Sequence, residues 1–465
     1  MRHMLGGIPM KTYTAAQIAA VTNGTLLCGD ENTQIDNIQY DSRQVREGSL
    51  FVPIRGERVD PHRFIEDCLK KGAATLTEQP APENAVKPYI LVDNTKAALQ
   101  KIAADYRSSM QVRLIGVTGS VGKTSTKEMI AAALSKGLNV MKTQGNRNSQ
   151  IGLPMTMFDI EKQHQAAVIE MGMSEFGEMD ALCDIARPEM AVMTNIGVAH
   201  IENLHSQENI LKEKFKITKH FSSSGVLFLN GDDKLLRQLH GKQPFRTVTF
   251  GMGQENDYHA DRIEVQGFST VFDCHYDGKC CRLKIPALGV HSITNALAAF
   301  AVGRAMGLSE ELIAEGLLTY RNAPMRQQIY ECGDLVLIDD SYNCSPEAAK
   351  ASLDVLKSIA KGKTIAVLAD MLELGDVAFD EHRKVGEHLA KIGVDELIAV
   401  GALSRHTAEG AKNGGCPKVS TADSNEEAYA ILENALTSGC TVLVKGSRGM
   451  HTDEIVKKLL EEKKA

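Results

Sequence analysis

Apolar residues in this chain come mostly in short continuous runs, not in strict alternation with polar ones. Leu114-Ile-Gly-Val117, Ala166-Ala-Val-Ile-Glu-Met171, Met190-Ala-Val-Met-Thr194 and Gly225-Val-Leu-Phe-Leu229 are such runs, and helix-type spacing separates them. A strand apolar on both sides belongs to a parallel sheet covered on both faces. The same logic returns in Asp334-Leu-Val-Leu-Ile338, Lys363-Thr-Ile-Ala-Val-Leu368, Glu396-Leu-Ile-Ala-Val400 and Cys440-Thr-Val-Leu-Val444, which read as four strands with helices between. Ahead of both regions, runs such as Ser49-Leu-Phe-Val-Pro-Ile54 and Tyr89-Ile-Leu-Val92 alternate with small helices.

The pattern predicts an α/β chain of three domains: a small α/β N-terminal domain over 1–110, a central domain with a mostly parallel sheet over 111–322, and a Rossmann-like domain over 323–465. Ala323-Pro324 marks the hinge between the last two, because the residue before a proline is pushed out of helical geometry. A length of 465 residues agrees, at roughly 150 residues per domain. The last domain has no G-x-G-x-x-G, so no dinucleotide is indicated.

Composition removes several function classes. A net charge of −7 gives no electrostatic case for nucleic acid or an anionic membrane, and no apolar run approaches the ~20 residues of a membrane span. The opening MRHMLGGIPM lacks the apolar centre of a signal peptide, so Met10 is read as the start of the fold. The ten cysteines show no C-x-x-C spacing, which argues for reduced thiols in a cytoplasm and against a zinc site or a disulfide framework.

The chemistry concentrates at residues 113–126. An apolar strand runs into Gly116, Gly119 and Gly122, then Lys123 and Thr124, then a helical stretch from Ser125 to about Ser135. Such a loop turns backbone N–H groups onto phosphate oxygens, with the helix dipole behind them. Gly119, Ser120, Val121, Gly122 and Ser125 form the cradle. Lys123 reaches the terminal phosphates and the Thr124 hydroxyl takes Mg²⁺. The strict motif wants glycine where Val117 stands, so the glycines read G-x-x-G-x-x-G-K-T.

Other candidates are weaker one by one. Glu170 ends a buried strand, where either a metal ligand or a solvent-facing glutamate fits. His200 follows another strand, read as a neighbour of the first. A lone histidine is more often structural, but ligands gather at the carboxyl ends of parallel strands. Lys212-Glu-Lys-Phe-Lys216 reads as a solvated helical face. Asp339-Asp-Ser-Tyr-Asn343 offers carboxylates for ribose or metal, or only a turn and a cap. Arg326, just past the hinge, reaches back to a phosphate or is an ordinary surface arginine.

Together these pieces resemble the Mur ligase family of ATP-dependent amide-bond ligases, from about Lys11 to the C-terminus. The altered loop Gly116-Val-Thr-Gly-Ser-Val-Gly-Lys-Thr124 is the family's form of the motif. Glu170, His200, Asn295 (in His291-Ser-Ile-Thr-Asn-Ala-Leu), Arg326 and Asp340 match its scattered positions in order. Within the family the branch that adds D-alanyl-D-alanine is resembled most. Tyr40-Asp-Ser-Arg43, Leu50-Phe-Val-Pro-Ile-Arg-Gly-Glu-Arg-Val-Asp60, Gly145-Asn-Arg-Asn-Ser-Gln-Ile-Gly-Leu-Pro154, Ala369-Asp-Met-Leu-Glu-Leu-Gly375 and Lys445-Gly-Ser-Arg-Gly-Met450 look like its signatures, and the Asp-Asn-Pro-Arg of the diaminopimelate-adding branch is absent.

The resemblance implies ATP and two Mg²⁺ as cofactors, UDP-N-acetylmuramoyl-tripeptide and D-Ala-D-Ala as substrates, an acyl-phosphate intermediate and a cytoplasmic monomer. Thr124 and Glu170 would hold one Mg²⁺ and His200 a second. Asn295 would meet adenine. Arg326 and Asp340 would reach phosphate and ribose on domain closure. Lys214 stands where the family carries a carbamylated lysine, an anion able to bind metal. Asp41, Ser42, Arg43, Asn146 and Asn148 are the substrate-binding candidates. Lys216 departs from a glutamate found in some relatives, which makes the surroundings of Lys214 more basic, and Ser292 departs from a common asparagine. The alternatives are a ligase of the same fold adding another amino acid, as folylpolyglutamate synthases do, and a non-catalytic nucleotide-binding module.

Overall fold

The computed structural model describes residues 11–56 and 58–462; the reading of MRHMLGGIPM lies outside them. A five-stranded sheet in the order Thr25–Cys28, Tyr89–Leu91, Ala74–Thr77, Ser49–Phe51, Asn37–Gln39 is parallel except for its first pair. A nine-stranded sheet follows, in the order Lys279–Ile285, Ser269–Tyr276, Tyr258–Gln266, Arg246–Gly251, Val226–Asn230, Met190–Met193, Arg113–Thr118, Ala166–Glu170, Val140–Lys142. It is parallel from Tyr258–Gln266 onward and antiparallel only across its first three strands. A six-stranded sheet, Gln328–Cys332, Leu335–Asp340, Thr441–Lys445, Thr364–Ala369, Glu396–Val400, Lys418–Ala422, ends the chain and is antiparallel only at its first pair. A two-stranded pairing of Tyr13–Thr14 with Gln34–Ile35 completes the set.

The continuous apolar runs are strands for the reason they predict. Along Arg113–Thr118, Leu114 enters one core cluster while Ile115 and Val117 enter another. Ala167 and Ile169 likewise part from Ala166 and Val168. Side chains alternate across a sheet, so both of its faces are covered. Two points differ from the sequence reading. The strands carrying Glu170 and leading to His200 are not neighbours: the phosphate-loop strand lies between them and pairs with both. The sheet also extends through Arg246–Gly251 and three further strands, and the last sheet gains Gln328–Cys332 and Lys418–Ala422. The edge strands among these, Lys279–Ile285, Gln328–Cys332 and Lys418–Ala422, are partly exposed and mix charged with apolar residues, as in Lys279-Cys-Cys-Arg-Leu-Lys-Ile285. Edge strands carry such charges against stray pairing, and the same charges hide them from a search for apolar runs.

The first two sheets share one core through the helix Thr95–Ser108, capped by Asn94. Its Ala98, Leu99, Ile102, Ala103 and Tyr106 are buried, and the Tyr106 hydroxyl donates to the Ile160 carbonyl at 2.7 Å. Arg107 is buried beside it. Its guanidinium donates to the carbonyls of Ala186 (3.0 Å), Met110 (3.0 Å) and Val112 (3.3 Å). No apolar side chain can satisfy those three acceptors. Arg107→Ala is therefore expected to lower stability by about 3 kcal/mol, read as a drop in the urea midpoint. A drop no larger than that of a surface arginine would show the three bonds to be dispensable.

Candidate functional site

The phosphate-loop strand Arg113–Thr118 ends in the turn Gly119–Gly122, and the helix Lys123–Leu134 begins at Lys123, two residues earlier than predicted. Gly122 has φ 85°, which suits glycine. A Cβ at Gly119 would stand 1.9 Å from the Thr194 hydroxyl oxygen, so the turn fits under the next strand only without a side chain. Asn195 fixes the turn from that strand: its Oδ1 accepts from the Val121 N–H at 2.8 Å and its carbonyl from the Ser120 N–H at 3.0 Å. Lys123 folds back, its Nζ donating to the Gly119 and Ser120 carbonyls at 2.7 and 3.3 Å. Burial pushes its pKa down, and nearby Glu170 works against that shift.

Glu170 is 2% exposed, which removes its solvent-facing reading. Its Oε2 accepts from the Thr124 hydroxyl at 2.9 Å and its Oε1 from the Asn148 amide at 2.6 Å. Lys127, one helical turn beyond Lys123, is buried, with Nζ 3.8 Å from Glu170 Oε2 and donating to the Thr143 carbonyl at 2.8 Å. Hard oxygen donors side by side at the foot of a phosphate loop suit Mg²⁺, which takes one or two protein oxygens and completes its shell with phosphates and water. Among the described residues no group of three or more His, Cys, Asp and Glu could hold a metal.

His200 opens the short helix Ile201–Leu204, and its Nδ1 lies 2.9 Å from Glu373 Oε2, in the last domain. That hydrogen bond holds the Glu373 carboxyl below its usual pKa. Lys214 departs most from its charge-pattern reading. In the helix Gln207–Phe215, Lys212 faces solvent, but Lys214 is 0% exposed and its Nζ has no hydrogen-bond partner. Burial, with Lys123 nearby as a second cation, pushes its pKa well down. The basic charge of Lys216 does not reach it, because the Lys216 ammonium pairs with Asp180 and Glu213, each at 2.7 Å.

A cavity of ≈ 390 Å³ collects most of the candidates. Residues 120–125, Asn146, Asn148, Glu170 and His200 line it from the central sheet. Arg326, Tyr342, Leu372, Glu373, Ser447 and Arg448 line it from the last one. The Arg326 guanidinium lies over the Tyr342 ring, 4.1 Å from its centre. Gly119 and Lys214 are not among its lining residues, and three further sets of candidates stand apart. Asn295 lies behind the phosphate helix, where its Oδ1 accepts from the Thr126 hydroxyl at 2.8 Å. Asp340 is buried and engaged, with Oδ2 bound to the Lys445 ammonium (2.5 Å) and the Ser352 hydroxyl (2.6 Å) and Oδ1 accepting from the Gln327 N–H (3.2 Å). Asp41, Ser42 and Arg43 sit on the N-terminal domain surface. There Arg43, with its side chain 88% exposed, pairs with Asp41 at 2.8 Å. Asn195, Lys127, Tyr342 and Glu373 were not singled out from sequence. Glu373 falls within a signature stretch, whereas nothing local marks Lys127.

The Glu373 loop hangs on His382. This buried ring donates from Nδ1 to the Ala378 carbonyl at 2.7 Å, and its Nε2 accepts from the Met371 N–H at 3.0 Å. Only the neutral ring makes both bonds.

Family models match three stretches: Mur ligase family, catalytic domain, at 34–107; Mur ligase middle domain at 117–303; and Mur ligase, glutamate ligase domain at 325–448. The UDP-N-acetylmuramoyl-tripeptide–D-alanyl-D-alanine ligase of Bacillus subtilis strain 168 is 38% identical over 458 residues, covering 96% of this chain and 98% of its own length. The structure of MurF from Acinetobacter baumannii superposes with a TM-score of 0.90 at 31% identity, over 98% of this chain and 100% of that one. MurF ligase from Thermotoga maritima in complex with ADP superposes with a TM-score of 0.83 at 28% identity, over 92% and 98%.

Burial lowers the pKa of His382. The folded state therefore binds this proton less readily than the unfolded chain, whose histidines titrate near 6.5. The stability it contributes is full above about pH 6.5 and falls as pH drops toward the folded pKa. His382→Gln should flatten that part of the melting-temperature profile between pH 7 and 5. An unchanged slope would place the titration elsewhere.

Proposed function

Because the chain belongs to the Mur ligase family, we propose that it is an ATP-dependent ligase joining D-alanyl-D-alanine to UDP-N-acetylmuramoyl-tripeptide. The observation that carries this reading is the convergence of Lys123, Thr124, Glu170, His200 and Arg326 on one cavity between the central and last sheets. Full-length likeness to ligases of that name supports the choice of substrates. A nucleotide-binding relic would have no reason to keep the whole set.

The loop amides and Lys123 bind the ATP phosphates, and Lys123 leaves the two loop carbonyls to do so. Thr124 and Glu170 hold Mg²⁺, with His200 as the candidate ligand for a second ion. Mg²⁺ supplies charge neutralisation as the phosphoryl group transfers. The carboxylate of the tripeptide attacks the γ-phosphorus, and ADP leaves with the electron pair of the broken P–O bond. The amine of D-Ala-D-Ala then adds to the acyl carbon, loses a proton and expels phosphate. An acyl phosphate hydrolyses in water, so the wall given by Tyr342, Leu372 and Glu373 has a chemical purpose. Asn146 and Asn148 face the acid substrate, and Asp41, Ser42 and Arg43 take the UDP end. Lys214 fits carbamylation, because a buried, partnerless amine held neutral can add CO₂ and become an anion beside Lys123. ATP and a UDP-linked acid as substrates place the reaction in the cytoplasm, and among the described residues no helix is long and apolar enough to cross a membrane.

The test is phosphate release from ATP with UDP-MurNAc-tripeptide, with D-Ala-D-Ala present or omitted. Release that needs both, with the pentapeptide product seen by mass, is expected. Release with another amine but not with D-Ala-D-Ala would keep the family and change the acceptor. Lys123→Ala should cut turnover by on the order of a thousandfold with the melting temperature kept; wild-type turnover would remove the nucleotide site. Lys214→Ala should be nearly inactive and partly restored by added short carboxylates, and full activity without them would end the carbamate reading.

A further inference from the structure

Arg326 stands between two strained neighbours. Met325 has φ 59° and Gln327 φ 48°, left-handed values that residues with side chains seldom adopt. Strain of this kind persists only where the surroundings over-determine it: Met325 is held by its N–H to Gln328 Oε1 (3.2 Å) and its carbonyl to the Tyr342 N–H (3.1 Å), and Gln327 is held more fully. All four of its polar groups are engaged. Its N–H donates to Asp340 Oδ1 at 3.2 Å, and its carbonyl accepts from Asn322 Nδ2 at 2.8 Å. Its Nε2 donates to the Ser352 hydroxyl at 3.4 Å, which leaves Oε1 to accept from His291 Nε2 at 3.0 Å.

The partner His291 belongs to the central domain. It sits in the first turn of the helix Val290–Ala305, and Asn295, four residues on, bonds Thr126 of the phosphate helix. Residues four apart share a helix face and stand about 6 Å apart along the axis. One face of one helix therefore grips the phosphate helix at Asn295 and the Arg326 turn at His291.

We propose that Gln327 is a positioning residue, and that its bond to His291 makes the helix Val290–Ala305 the spacer that sets Arg326 at a fixed distance from the phosphate loop. The proposal rests on the reading of Arg326 as a group that reaches an ATP phosphate. In this arrangement Asp340 acts from behind: anchored by Lys445 and Ser352, it holds the Gln327 backbone in its left-handed turn.

The test is a double-mutant cycle in steady-state phosphate release, with Gln327→Met and Arg326→Ala alone and combined. Arg326→Ala should lower kcat about a hundredfold and Gln327→Met about tenfold, with the KM for D-Ala-D-Ala unmoved. The double variant should match Arg326→Ala within about twofold, because a residue acting only through Arg326 has nothing left to act on. His291→Ala should repeat the pattern, and His291→Gln, which keeps an N–H donor, should recover part of the rate; these variants carry the test if Gln327→Met fails to fold. Independent, multiplying losses with Arg326→Ala impaired would overturn the spacer and leave the function standing. Wild-type turnover of Arg326→Ala would overturn the role of Arg326 and the spacer with it.

Discussion

The carboxylate of Glu170 is the constraint around which the site is built. It stands at the end of a central strand, 2% exposed on the lining of the cavity. An unpaired ion in such a place costs several kcal/mol or more. The structure offsets that cost with groups from two segments: the Thr124 hydroxyl at the start of the phosphate helix and the Lys127 ammonium one turn along it, 3.8 Å away, and the Asn148 amide from the loop after Val140–Lys142. Each can reach Glu170 only if the sheet order places its strand on the correct side. The carboxylate thus couples the register of the central sheet to the geometry of the loop. A strand slip that moved it would leave a buried charge unmatched.

The same economy governs the border with the last domain. The loop after Met190–Met193 fixes the phosphate turn through Asn195, sends Val198 into the core of the last domain, and meets its Glu373 through His200. Chemistry with a water-sensitive intermediate needs walls that come from two bodies yet meet to within an ångström or so. Short loops at the carboxyl ends of parallel strands can provide this, because the strand beneath each loop is rigid.

What the sequence made legible follows from how each feature is encoded. Buried parallel strands and the phosphate loop are local patterns, and Leu114–Val117 with Gly119, Gly122, Lys123 and Thr124 declared both. The edge strands Lys279–Ile285 and Lys418–Ala422 were not read, because protection against stray pairing replaces apolar residues with charged ones. Glu170 and His200 were found by position at strand ends, but the order of their strands was not, since strand order is set by crossovers that carry no local signal. Lys214 illustrates the deeper limit. It lies in a charged run, Lys212 to Lys216, and only the packing of the helix decides that Glu213 and Lys214 turn inward while Lys212 does not. Family resemblance, not charge pattern, pointed to it.

Three lysines make the point in energetic form. Lys123, Lys127 and Lys214 all lie near the phosphate loop, and burial lowers the pKa of Lys123 and Lys214. Lys123 answers with two loop carbonyls, bonds that a phosphate can replace. Lys127 answers with the Thr143 carbonyl and with the Glu128 and Glu170 carboxylates, at 3.1 and 3.8 Å. Lys214 has no answer among the protein's own atoms. A cation left so would destabilise the fold, whereas a neutral amine is tolerated and is the form that reacts with an electrophile. One residue type in one small volume thus meets three surroundings: two loop carbonyls at Lys123, a carbonyl and two carboxylates at Lys127, and no polar partner at Lys214. The difference lies wholly in what stands within 4 Å of each ammonium.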